Sequence, residues 1–201
     1  MSDHKVTIEG TYPGRYRFEG EFHQGAASQP IRDDQGKLWG VTKPRRIVHV
    51  HALGAEGQFF QAIAEDRKLL ATRCNNPDCE GEGTEYLPFR IHCPDCLGLM
   101  KVIDVTQRAI EGAQIYTYIN TNRTGAFNTL DTPIRFIDIQ IPGIATFLKG
   151  YMIGKGEPSI GLRVIPVFQH NPSYTIKDLA WVALDMAESE LPEGWTFGDN
   201  K

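Results

Sequence analysis

Polar and apolar positions alternate along the first quarter of the chain in the way that half-buried β-strands require. The alternation runs over residues 5–8, 16–23 and 47–52, and turn-forming sequences separate these segments. Between residues 24 and 30 the side chains are small and polar, which predicts a loop. We expect residues 1–55 to form a β-rich extension that is too thin to hold a core alone and packs on the rest of the chain or on a partner.

The period changes to that of an amphipathic helix in the next segment, residues 56–70. Phe59, Phe60 and Ile63 recur at helical spacing, and polar side chains fill the other face. A short extended segment over 69–73 follows. Core packing is the simpler interpretation of the two phenylalanines, and docking of the helix against another surface is the alternative.

A regular series of strand signals fills the second half of the chain. The predicted strands cover residues 100–106, 115–119, 133–141, 144–153 and 160–168. Glycines punctuate this series as the bends of a small, strongly curved barrel require. Residues 175–188 are ambiguous, because Thr175 and Asp178 resemble a helical capping box whereas the positions after them also alternate as a strand. Five short strands in this space would make an OB-type barrel.

All four cysteines fall in one stretch in the middle of the chain. Cys74 and Cys79 are separated by four residues, thirteen residues follow, and Cys93 and Cys96 are separated by two. Two close pairs joined by a short connection are what a tetrahedral four-thiolate site needs, and turn-forming residues fill both gaps. The spacing predicts a zinc ribbon with one structural Zn²⁺ per chain, bound by Cys74, Cys79, Cys93 and Cys96.

Other uses of the cysteines are weaker interpretations. Two disulfides would satisfy the same count, but nothing in the sequence indicates export. A redox pair at Cys93 and Cys96 would leave the other two cysteines without a role. Spacing alone does not distinguish zinc from iron, and His92 lies beside a ligand position although four thiolates leave no vacancy. A closed four-thiolate site offers no position to water or substrate, so we expect the metal to support the fold and do no chemistry.

Composition and charge narrow the classes of function. An apolar fraction of 41% and a charged fraction of 23% are typical of a soluble globular protein, and no apolar run is long enough to span a membrane. The charged N-terminus lacks a hydrophobic signal core, so we expect a cytoplasmic protein. The net charge of −4 argues against nucleic acid as a ligand, because the densest basic cluster is only Lys43, Arg45 and Arg46. His49 and His51 alternate on a predicted strand, where packed or solvated histidines are the simpler interpretation.

The order of helix, four-cysteine ribbon and barrel resembles a known family. The Phe59-Phe60 helix, the two cysteine pairs, the segment 160–164 and the segment 178–182 are similar to the small zinc ribbon–OB proteins that accompany thiolases, over about residues 58–184. In that family the last of these segments is the closing strand of the barrel, which favours a strand in the ambiguous region.

Pattern and resemblance together predict a mainly β fold. The expected parts are a β-rich N-terminal extension (1–55), a linking helix and strand (56–73), a rubredoxin-like zinc ribbon (74–106), a five-stranded OB-fold barrel (107–186) and a C-terminal tail (187–201).

Within this family, the long N-terminal extension makes the chain most similar to the small subunits of 2-benzoylsuccinyl-CoA thiolases from anaerobic toluene degradation. The resemblance implies a thiolase-fold partner in a hetero-oligomer, expected to be a heterotetramer. That partner would carry the catalytic groups and cleave 2-benzoylsuccinyl-CoA with CoA to benzoyl-CoA and succinyl-CoA. This chain would bind Zn²⁺, carry no catalytic residue and shape or gate the acyl-CoA site, with contact to CoA inside the complex. The four-residue gap between Cys74 and Cys79 departs from the family, in which two residues are more common.

A single-stranded nucleic-acid binder is the alternative from another class, because ribbons and OB barrels both serve that role. It would need exposed aromatic side chains beside cations on one face of the barrel. The candidates are Tyr116, Tyr118, Arg123 and Arg135. CoA binding by the barrel itself, through Arg123 or Lys149, is a third interpretation.

Overall fold

The structure is a computed structural model that describes residues 3–10, 16–23, 30–32, 36, 38–41, 53–122 and 132–198. The chain divides into two units, Met1–Gly54 and Ala55–Lys201. None of the described helices is long and apolar enough to cross a membrane.

The N-terminal unit contains two strand pairs. Strands β1 (Asp3–Gly10) and β2 (Tyr16–His23) form an antiparallel hairpin, which confirms the strands predicted over 5–8 and 16–23. Strands β3 (Pro30–Arg32) and β4 (Leu38–Val41) form a second, shorter antiparallel pair that the sequence pattern did not predict. The strand predicted over 47–52 lies outside the described residues.

The second unit begins with a short helical segment that ends earlier than predicted. Helix α1 (Gly57–Gln61) continues as a π turn over Ala62–Asp66. Arg67 then adopts a left-handed conformation with φ of 53°, and the Lys68 N–H donates to the Ala62 carbonyl at 3.0 Å. These features end the helical segment at Asp66, because they turn the chain directly into the next strand.

Three short strands form the sheet of the ribbon. They are β5 (Leu70–Arg73), β6 (Glu85–Tyr86) and β7 (Lys101–Asp104), antiparallel in the order β6-β5-β7. Helix α2 (Thr106–Gly112) follows and was not predicted. The Asp104 carboxylate accepts hydrogen bonds from the Thr106 N–H at 2.9 Å and from the Thr106 hydroxyl at 2.6 Å, and so starts this helix.

Six strands make up the barrel sheet. They are β8 (Gln114–Thr121), β9 (Ile134–Gln140), β10 (Leu148–Met152), β11 (Val164–Gln169), β12 (Leu179–Ala183) and β13 (Trp195–Phe197), in the order β13-β11-β12-β10-β9-β8. Only β10 and β12 pair in parallel. The barrel closes where the Ile115 N–H donates to the Leu162 carbonyl at 2.9 Å, just before β11. The first five strands therefore have the order and closure of an OB-type barrel, which confirms the predicted mainly β fold class.

Residues 175–188, for which the sequence predicted either a helix or a strand, contain both features one after the other. Thr175 and Asp178 do form a capping box, but they cap a single 3₁₀ turn, Ile176–Asp178. Strand β12 follows immediately, so the prediction of a strand is confirmed.

One hydrophobic core joins helix α1, the ribbon sheet and the inside of the barrel. Phe59 is 4% exposed and packs edge-on against Phe60 at 5.4 Å between ring centroids, in the same cluster as Leu87 and Trp181. Core packing is thus the correct interpretation of Phe59, and Phe60 is partly buried beside it. A second cluster lies on the outside of the sheet, where β13 covers part of it.

Candidate metal centre

The four cysteine sulfurs meet at one point of the ribbon. All four lie within 4.8 Å of one another, with 3.9 Å between the sulfurs of Cys74 and Cys96 and 3.8 Å between those of Cys79 and Cys93. Cys74, Cys79 and Cys93 are buried and Cys96 is partly exposed. The structure therefore positions the four residues singled out by the sequence to bind one metal ion.

The first knuckle, residues 74–84, is held by its own backbone. The Cys79 N–H donates to the Asn76 carbonyl at 3.1 Å, and the Asn76 side-chain oxygen accepts from the Asp78 N–H at 3.1 Å. The gap between Cys74 and Cys79 is longer than is common in the family that the sequence resembles, and this Asx turn accommodates the additional residues. The Gly81 N–H then points at the Cys79 sulfur, 3.3 Å away, where it would stabilise a thiolate.

The second knuckle, residues 93–100, is a tighter loop. The Leu97 N–H donates to the Cys93 carbonyl at 3.0 Å, and the Cys93 N–H donates to the Gly98 carbonyl at 2.9 Å. Leu97 has a φ of 58°, which turns the chain back over the sulfur of Cys96. The loop thus presents both of its sulfurs to the centre without a contribution from a helix or strand.

The protonation of the thiols differs within the cluster. Burial raises the pKa of the Cys79 thiol to about 12. Hydrogen bonds from the Asn76 side chain and from the Gly98 backbone lower the pKa of Cys96 to about 6. A cation at the centre would remove this difference, because four neighbouring thiolates repel one another unless a positive charge lies between them.

The donor set fits a tetrahedral, sulfur-binding metal. Four thiolates suit Zn²⁺ or iron, and four protein ligands leave no coordination position for water or substrate. His92 is not among the donors, since its Nδ1 lies 3.1 Å from the Leu97 carbonyl. The arrangement can fold and rigidify the two knuckles, and it offers no site for chemistry at the metal.

The candidates for nucleic-acid or CoA binding are dispersed or already engaged. The Arg135 guanidinium donates to the Gly154 carbonyl at 2.7 Å and to the Gly156 carbonyl. The Lys149 ammonium pairs with Asp138 at 2.9 Å. The charge of Lys149 is therefore paired with a carboxylate, whereas the Arg135 guanidinium is held by two backbone carbonyls. Arg123, His49, His51 and the cluster Lys43, Arg45 and Arg46 lie outside the described residues.

A buried carboxylate that the sequence reasoning missed connects the ribbon to the barrel. Glu85 is 7% exposed, and its carboxylate pairs with Arg108 of helix α2 and, at 3.6 Å, with Arg73 of β5. Its backbone carbonyl accepts from the Ala145 N–H at 2.9 Å, on the loop before β10. Nothing in the local pattern distinguishes this glutamate from the exposed Glu80 and Glu82 nearby.

Comparisons with protein-family models and with curated proteins found no match. Among solved structures, a DUF35-family protein of unknown function from Sulfolobus solfataricus is similar over 65% of this chain and 86% of its own, with 19% identity and a TM-score of 0.46. The Ltp2-ChsH2(DUF35) aldolase is similar over 64% of this chain and 93% of the matched chain, with 17% identity and a TM-score of 0.49. At these values neither similarity supports a conclusion about activity.

Proposed function

We propose that this chain is a zinc-binding, non-catalytic subunit of a thiolase-type complex and that it shapes or gates the acyl-CoA site of a thiolase-fold partner. The observation that carries the proposal is the convergence of all four cysteines of the chain on one centre. A thiolase reaction needs a free thiolate to accept the acyl group, and a chain whose thiols are all ligands has none to offer. The nucleophile must then come from a partner.

The proposed ligands of the zinc are Cys74, Cys79, Cys93 and Cys96. Once bound, the ion would supply only structural free energy, because its coordination is complete. Around it, the Gly81 N–H donates to the Cys79 sulfur and the hydrogen bonds of the two knuckles fix the approach of the other sulfurs. The chain's own contribution is a rigid loop surface that the partner can use.

The specific reaction that we propose is cleavage of 2-benzoylsuccinyl-CoA. CoA enters as the second substrate, one carbon–carbon bond breaks, and benzoyl-CoA and succinyl-CoA leave. Support for this substrate comes from the resemblance in the order of helix, four-cysteine ribbon and barrel over about residues 58–184 and from the long N-terminal extension. The partner's cysteine would accept the acyl group, and this chain would bound the site in which the thioester lies. We further propose a heterotetramer as the assembly and the cytoplasm as its location.

Reconstitution tests the proposal directly. The chain is produced alone, and together with a thiolase-fold subunit of the kind that the proposal requires, and 2-benzoylsuccinyl-CoA and CoA are followed by liquid chromatography. We expect no turnover by the isolated chain, co-elution of the two subunits, and formation of benzoyl-CoA and succinyl-CoA by the complex. Turnover by the isolated chain, or full activity of the partner without it, would contradict the proposal.

Metal analysis provides the second arm of this test. Elemental analysis of the purified chain should find one zinc per chain, and Cys93→Ser should lower that ratio. Leu99→Ser is the matched control, because Leu99 lies in the same knuckle and its side chain is 76% exposed. It should retain the metal and the complex.

A further inference from the structure

Strand β8 leaves one edge of the barrel sheet open. It is the last strand in the sheet order and pairs along its length only with β9. On its other side, Ile115 exchanges hydrogen bonds with the chain just before β11, donating to Leu162 and accepting from Gly161 at 2.8 Å. Within the part of the chain that the structure describes, no backbone partner follows on that side for residues 116–120. Backbone groups that face away from β9 there are free to pair with another strand.

The open edge lacks the features by which proteins protect such strands. Over its eight residues, Gln114–Thr121, β8 has the sequence QIYTYINT, with no charged residue, no proline and no glycine. Edge strands are usually shortened, charged or interrupted, because an uncharged edge of β-forming residues pairs with other chains. The composition of β8 therefore favours strand addition.

Apolar side chains are exposed along the same strand. Tyr116 is 52% exposed, Tyr118 44% and Ile119 62%. Tyr116 stacks on Phe147 with 4.1 Å between ring centroids, and Phe147 is itself 42% exposed. Neighbouring residues of a strand point to opposite faces, so Tyr118 and Ile119 place exposed apolar side chains on both faces of this edge. Exposed apolar side chains of this kind are typical of a protein interface.

We propose that the chain forms a homodimer in which β8 pairs antiparallel with β8 of a second copy. Two uncharged strands place no like charges opposite each other, and their tyrosines and isoleucine form favourable cross-strand pairs. The nearby Asp138 pairs with Lys149 of the same copy at 2.9 Å, so this carboxylate adds no unpaired charge beside the strand. The same surface on both copies gives a closed two-fold interface.

Two-fold symmetry selects the antiparallel orientation. About an axis perpendicular to the sheet, the start of β8 in one copy meets the end of β8 in the other, and both strands make the same contacts. Charges of both signs lie at each end: Arg163 donates to the backbone of Glu111 at the start, and at the end Arg135 donates to the Gly156 carbonyl next to Glu157. Neither end therefore presents a single unpaired charge to the other copy.

The expected dimer is reversible. A strand pair of this length buries less surface than the roughly 1,200–2,000 Å² of stable interfaces, so the population of dimer should depend on concentration. This inference does not depend on the proposed function, because it concerns the chain without any partner subunit or substrate.

Sedimentation velocity of the full chain over a wide range of concentration tests the proposal. We expect a monomer–dimer equilibrium, and Ile119→Lys should raise the dissociation constant about tenfold or more, because it places two like charges across the strand pair. Leu99→Lys is the matched control: Leu99 is exposed on the ribbon, far along the chain from β8, and its substitution should leave the equilibrium unchanged. Circular dichroism checks that both variants fold.

Hydrogen exchange identifies the strand that pairs. Amides of residues 116–120 should exchange more slowly as the protein concentration rises, and this dependence should vanish in Ile119→Lys. A chain that stays monomeric at every concentration would overturn the proposal. A dimer that Ile119→Lys does not weaken, or whose slowed amides lie elsewhere, would overturn it equally.

Discussion

Removing the metal from the cysteine centre should unfold the two knuckles and leave the barrel folded. The hydrophobic cluster at the centre consists of the four cysteines and Met100. The two clusters of the barrel contain none of these residues. The knuckles therefore have no core of their own to replace the metal, whereas the barrel does not depend on it.

The size of the effect follows from this separation. Structural zinc contributes about 10–16 kcal/mol in zinc-finger peptides, which equals or exceeds the roughly 5–15 kcal/mol that stabilises a whole domain. Without that contribution, the hydrogen bonds within residues 74–84 and 93–100 cannot offset the entropy of ordering these loops. Residues 85–91 are different, since Leu87 and Phe89 lie in the barrel core and should stay protected.

Hydrogen exchange measured by mass spectrometry, with and without a zinc chelator, checks this prediction. We expect the amides of the two knuckles to lose protection while those of strands β9 to β12 keep theirs. Cys93→Ser replaces a proposed ligand whose residue is only 1% exposed, and it should cause the same loss of protection in the knuckles. Leu99→Ser should leave the protection unchanged. Protected knuckles in metal-free protein would refute the reasoning, as would barrel strands that lose protection together with the knuckles.

Three further substitutions test the packing of the second unit. Gly150→Ala should destabilise it by about 1–3 kcal/mol in urea unfolding, because the new Cβ would lie 2.9 Å from the Trp181 Nε1 atom and 3.0 Å from the Ile139 side chain. Asp178→Ala should cost about 2–3 kcal/mol in the same assay, since the buried carboxylate accepts from the N–H groups of Ser173 and Thr175 at 2.9 Å each. Burial, with the charge of Asp178, raises the pKa of Tyr151, so the folded state resists ionisation of this phenol. Stability should therefore fall as the pH rises above about 10, where unfolded tyrosine ionises, and Tyr151→Phe should make that fall shallower.

The features that could be predicted from the sequence are those that the chemistry of the side chains determines locally, namely the cysteine centre and the strands of the barrel. The four cysteines have one common use, and their spacing alone placed them at one centre. The strands of the barrel were also predictable, because alternation reports which face of a strand is buried. Their bounds shifted by a few residues, as in β10, which occupies five residues of the ten predicted.

Elements held by distant contacts escaped the sequence reasoning. Strand β13 is only three residues long and exists because it pairs with β11 and covers the outer cluster. Just before helix α2, the Asp104 carboxylate accepts from the Thr106 N–H and hydroxyl, and the Thr106 hydroxyl also accepts from the Leu69 N–H at 2.8 Å. The periodicity of a short segment does not indicate partners that are distant in sequence, so elements as short as β13 and α2 cannot be predicted reliably from their own residues.

Two separate sets of contacts stabilise the ribbon: the metal centre orders the two knuckles, and contacts with the barrel hold the segment between them. The segment between the knuckles is attached to the barrel by the buried Glu85 with Arg108, and by the Thr146 hydroxyl, which donates to the Leu87 carbonyl at 2.6 Å and accepts from its N–H at 3.0 Å. These contacts need no metal. Chelation should therefore disorder the knuckles while their attachment persists, and the two parts can be distinguished in the complex. A partner that dissociates when zinc is removed must bind the knuckles, whereas a partner that stays bound must contact the barrel or the attached segment.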